Sequence, residues 1–87
     1  MKGDTVIVRT YGGRPLVRRI WDVDEHAVYI TNDEQFHLLI KGTGGLEPLG
    51  FPNEDVFEYS PDLVKNMDKL YESGKWKWDN LVLWKKS

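Results

Sequence analysis

The chain has 87 residues, enough for one small domain with its own core and too few for two. Hydrophobic residues make up 40% and charged residues 30%, with a net charge of −2, a balance that argues against disorder and against a strongly basic, phosphate-tracking protein. There is no cysteine, which excludes disulfides and thiolate metal sites, and no apolar stretch approaches the ~18 residues of a membrane-spanning helix.

The opening "MKGDTVIVRT" reaches Asp4 before any apolar run, so the expectation is a cytoplasmic chain without an export signal. "TVIVRTY" (Thr5–Tyr11) alternates β-branched side chains and reads as a strand, with Val6 and Val8 on one face and Ile7 and Tyr11 on the other. "GGRP" breaks it, because Gly12 and Gly13 permit positive φ and Pro15 cannot donate to a ladder. "LVRRIWDV" (Leu16–Val23) and "HAVYIT" (His26–Thr31) are the second and third strands, joined through Asp24 and Glu25. "EQFHLLI" (Glu34–Ile40) reads as a fourth strand, ended by "KGTGG". A three-residue loop from Asn32 to Glu34 pairs Ile30 with Phe36 and Val28 with Leu38. That register keeps the apolar side chains on one face and leaves Tyr29, His37 and Leu39 on the other.

"EPLGFPNEDVFEY" (Glu47–Tyr59) predicts two short strands around a tight turn entered by Pro52 and opened by Asn53. A helix follows: Ser60 is a good N-cap, Pro61 suits the first helical position and Asp62 the positive dipole end. Leu63, Met67, Leu70 and Tyr71 recur at helical spacing until Gly74 stops the helix. "KWKWDNLVLW" (Lys75–Trp84) then holds three of the four tryptophans. Each ring buries on the order of 150–250 Å², so three left in water would approach or exceed the ~300–600 Å² of the largest apolar patch on a monomer. The expectation is a closing segment folded back on the strands, in preference to a ligand platform or a dimer seam. The chain thus divides into strands over 1–59, a helix over 60–74 and a tryptophan-rich segment over 75–87.

Several short strands, a glycine-rich first turn and "FPNEDV" (Phe51–Val56) before the last strand resemble a small barrel of the Src-homology-3 (SH3) type. The resemblance implies a mainly-β fold: an SH3-like barrel of about five strands, followed by one C-terminal helix. Asp55 stands where the peptide-binding branch of that superfamily usually carries an aromatic, so what the resemblance implies is the barrel and not recognition of proline-rich ligands. The whole chain also resembles short bacterial single-domain proteins, a resemblance that implies no activity.

Nothing in the sequence assembles a catalytic site. The serines Ser60, Ser73 and Ser87 fall at a helix cap, a helix end and the last position. "GTGG" (Gly42–Gly45) lacks the Lys-Ser/Thr and helix of a phosphate loop. His26 and His37 are too few for a zinc site, and Glu54, Asp55 and Glu58 read as a solvated loop. No enzyme activity, cofactor or metal is expected.

Charge is unevenly distributed. Residues 1–20 carry Lys2, Arg9, Arg14, Arg18 and Arg19 against Asp4 alone, and the middle of the chain is acidic. Arg18 and Arg19 are adjacent on a strand and point to opposite faces. The covered one is expected to pair with an Asp or Glu across strands. The exposed one joins Arg9 and Arg14 beside Tyr11, a face suited to phosphate contacts and stacking. The candidate binding residues are therefore Arg9, Tyr11, Arg14, Arg18, Arg19 and Tyr29. The expected function is a non-enzymatic binding or scaffold module with a protein partner; nucleic acid is the alternative, and self-association into a homodimer stays open.

Overall fold

The computed structural model describes residues 2–84. Five strands, β1 (Thr5–Val8), β2 (Leu16–Val23), β3 (Ala27–Thr31), β4 (Leu49–Pro52) and β5 (Val56–Glu58), form one antiparallel sheet in the order β4-β3-β2-β1-β5. Two helices accompany it, α1 (Asp33–Lys41) and α2 (Pro61–Glu72). No described helix is long and apolar enough to cross a membrane.

The period-2 alternation of the strands builds the core. Val6 and Val8 of β1, Ile20 of β2, Val28 and Ile30 of β3 and Val56 of β5 form one buried cluster, joined by the partly buried Val23, Phe51 and Trp84. Ile7 and Phe57, directly opposite each other across β1 and β5, are buried on the other face. Within β2 the register slips between Ile20 and Asp22, so Trp21 is the extra residue of a bulge. Its ring meets Phe36 of α1 edge-on, with centroids 5.9 Å apart, and the Lys2 ammonium lies 3.8 Å from the centre of the Trp21 ring.

The segment expected as a fourth strand is α1. Asn32 caps it, its Oδ1 accepting from Gln35 N at 2.8 Å, and Gly42 ends it in the left-handed conformation at φ 69°. Asp33 and Glu34 in the first turn and Lys41 in the last complement the helix dipole. There is consequently no hairpin pairing Ile30 with Phe36. Ile30 lies opposite Ile20 and Leu49 in the sheet, and Phe36 is buried against Trp21 and Arg19. The described residues therefore form two α-helices where one was expected, and the strand that follows β3 in the sheet is β4.

The second half follows the sequence closely. A 3-10 turn, Asn53–Asp55, connects β4 to β5. Ser60 Oγ accepts from Leu63 N at 3.4 Å at the start of α2, and Gly74 at φ 73° follows its end. None of the residues of α2 is fully buried; Leu63, Val64, Met67 and Leu70 are half-covered. The tryptophan-rich segment then returns along the outer side of β5. Glu58 N donates to Val82 O (2.8 Å), Trp84 N donates to Val56 O (3.0 Å), and Leu83 bridges to Phe57. Trp84 thereby reaches the core cluster.

Candidate functional site

Arg9 follows β1 directly, and the Val8–Val56 pairing sets it opposite Asp55, whose carbonyl accepts from Arg9 N at 2.8 Å. The Asp55 side chain is only 8% exposed, a costly position for a carboxylate unless donors surround it. Two are present: Arg9 Nε at 3.1 Å and the Tyr11 hydroxyl at 2.8 Å both donate to Oδ1. Arg9 Nη2 also donates to the Glu54 carbonyl at 3.1 Å. Of the three acids expected in a solvated loop, Glu54 and Glu58 are exposed, whereas Asp55 is one of two buried polar residues among those described.

Aromatic rings surround the guanidinium. Its centre lies 5.5 Å from the Tyr11 ring, 5.3 Å from Phe57 and 5.8 Å from Trp78, within cation–π range of all three. Phe57 and Trp78 are 5.3 Å apart between centroids, and Trp76 meets Trp78 edge-on at 5.3 Å. Tyr11 itself is 78% exposed. Its hydroxyl pKa is raised, first by the hydrogen bond to Asp55, which keeps it protonated as a donor. The result is an exposed ring fixed at its polar tip, beside a shelf of the half-covered Trp78 and Trp76 backed by the buried Phe57.

The other expected residues do not join this face. Arg14 reaches across to α2, donating to Asp68 and Glu72 at 2.9 Å each, with its guanidinium 5.5 Å from the Tyr71 ring. Arg19 donates twice to Gly3 O (3.2 and 3.1 Å) and to Asp33 Oδ1 (2.9 Å), and lies 4.0 Å from the Phe36 ring centre. It fastens the start of the chain to α1. Neither Arg18 nor Arg19 is buried or paired with an acid of another strand; the covered arginine–carboxylate pair is Arg9 with Asp55. Tyr29 donates to Asp24 Oδ2 at 2.7 Å and lines a cleft of about 230 Å³ with Trp21, Asp22 and Pro48.

Arg18 lines a larger cleft of about 420 Å³ together with Thr31, Gln35, Leu46, Glu47 and Leu49. The only hydrogen bond of its side chain among the described residues runs from Nη1 to the Val17 carbonyl, at 2.8 Å.

The structure therefore unites Arg9 with Tyr11 and disperses Arg14, Arg18, Arg19 and Tyr29. Sequence reasoning missed Asp55, Phe57 and Trp78 as their partners. One signal was present: Arg9 and Tyr11 stand two residues apart, on one side of the strand expected over Thr5–Tyr11, although β1 itself ends at Val8. The chain matches no known family model, no curated protein and no solved structure.

Proposed function

We propose that this chain is a non-enzymatic protein-binding module of SH3-like type, and that the Tyr11 shelf is its contact surface. The glycine-containing loop between β1 and β2 and the 3-10 turn before β5 support the barrel reading, since both fall where the resemblance places them. The observation that carries the binding assignment is the Tyr11 ring, 78% exposed yet tied by its hydroxyl to a buried carboxylate. An exposed aromatic held in one orientation gives up little entropy on binding, and Tyr, Trp and Arg are the residues enriched at interface hot spots. Asp55 serves as an anchor in this reading, not as a general base, because Oδ1 already accepts from two donors.

A protein partner is favoured over nucleic acid because Arg9, Arg14 and Arg19 each already hold a carboxylate of this chain. A reducing, cytoplasmic setting fits a chain without cysteine. The test is capture from native lysate at two salt concentrations with the wild-type chain and Tyr11→Ser. A protein held at both concentrations by the wild type and lost with Tyr11→Ser is the expected outcome. Captured nucleic acid that leaves as salt rises would favour the alternative. Retention unaffected by Tyr11→Ser would overturn the shelf as the contact surface.

A further inference from the structure

We infer that the cleft between β2, α1 and β4 is a self-complementary interface filled by a second copy of this chain. It lies at the β4 edge of the sheet, away from the Tyr11 shelf at the β5 edge, and among the described residues no further strand pairs on the outer side of β4.

Two leucines border the cleft in the open, Leu46 at 74% and Leu49 at 67% exposure. They are not on a loose loop. Leu46 N donates to Gln35 Oε1 at 2.7 Å. Gly45, at φ 108°, brings the backbone so close to α1 that a Cβ there would sit 3.3 Å from Gln35 Oε1 and from Leu39 Cγ. Apolar side chains are thus held out in water by a fixed backbone.

Charge selects the occupant. Arg18 and Glu47, the latter at the border with the smaller cleft beside Tyr29, both line this cleft, yet among the described residues neither forms an ion pair, whereas Arg9, Arg14 and Arg19 all do. An acidic partner would satisfy Arg18 and oppose Glu47; a basic one would do the reverse. A second copy related by a two-fold axis satisfies both. Arg18 of each copy meets Glu47 of the other, and the leucines cover one another, as an isologous interface requires.

The test is the solution mass of the full chain by light scattering or sedimentation at high micromolar concentration. The wild type is expected to be a dimer, and Arg18→Glu and Glu47→Arg each a monomer, because each doubles one sign across the axis. Mixing the two variants restores the dimer: the glutamate introduced at position 18 meets the arginine introduced at position 47, and the native Arg18 and Glu47 meet in turn. Restoration on mixing also shows that both variants fold. Leu49→Asp, with folding checked by circular dichroism, is expected to be monomeric as well. A monomeric wild type, including one whose cleft takes up a different protein, overturns the inference. So do single variants that remain dimeric, or a mixture that stays monomeric. Loss of partner capture by Tyr11→Ser is a separate readout, so the two proposals fail independently.

Discussion

The Tyr11 hydroxyl and the Asp55 carboxylate, 44 residues apart in sequence, meet at 2.8 Å. The bond makes a surface ring and a buried acid depend on each other. Asp55 tolerates burial because Tyr11 and Arg9 donate to it, and Tyr11 keeps its orientation because Asp55 accepts. Tyr11→Phe should cost about 1 kcal/mol, the usual net worth of one hydrogen bond. Asp55→Ala should cost more, about 2–3 kcal/mol, since it strands the half-covered Arg9 without its counterion. Asp55→Asn keeps an acceptor and should fall between them. Urea unfolding of the three variants checks the order; a midpoint for Asp55→Ala equal to the wild type would contradict the anchor.

Asp24 predicts how acid acts on the fold. The Tyr29 hydroxyl donates to its Oδ2 at 2.7 Å, and the backbone N–H groups of His26 and Ala27 donate to its Oδ1 at 2.8 Å each. These bonds, that from Tyr29 first, lower its pKa from 3.8 to about 2. A carboxylate depressed in the folded state stabilises it above the unfolded pKa and ceases to do so as pH falls through the folded one. The wild type should therefore exceed Asp24→Asn in stability at neutral pH. The gap should shrink between 3.8 and about 2. Urea midpoints of both chains across that range test it, and a constant gap would count against the assignment.

What the sequence disclosed depended on local punctuation. The bounds of β2 and the start of α2 follow from turn and cap residues, and the sequence places them closely. In "EQFHLLI" the apolar residues satisfy two periods at once: Phe36, Leu38 and Ile40 alternate as in a strand, while Phe36, Leu39 and Ile40 share one helical side. The deciding cues lie at the ends, with Asn32 three residues before Gln35 and Gly42 after Lys41. Asp55 was hidden for another reason. Its partners are 46 and 44 residues away and meet it only through the β1–β5 register.

The N-cap gives a direct check on α1. Asn32→Ala should lower stability by about 1 kcal/mol, and Asn32→Ser should keep most of it. In a hairpin loop neither substitution would show that pattern. Equal unfolding midpoints for the alanine and serine variants would remove the cap.

The three tryptophans of the last segment occupy two sides of the sheet and predict different losses. Trp84 joins the core cluster of Val6, Val8, Ile20, Val28, Ile30 and Val56, and Trp78 lies against Phe57 on the other side. Truncation after Gly74 removes both rings together with the bonds Glu58 N to Val82 O and Trp84 N to Val56 O, baring the β5 edge. The shortened chain should fail to fold or should aggregate. Trp84→Ala alone should cost about 3 kcal/mol, the low end for a large aromatic because the ring is only partly buried. Trp76→Phe should cost little, since its Nε1 is buried without an acceptor and removing such a donor relieves its desolvation cost. Melts at two protein concentrations separate this role from self-association. The drop caused by Trp84→Ala should be the same at both, because the proposed second copy docks at β4. A shortened chain that melts where the full chain does would show that the tryptophans serve a partner and not the core.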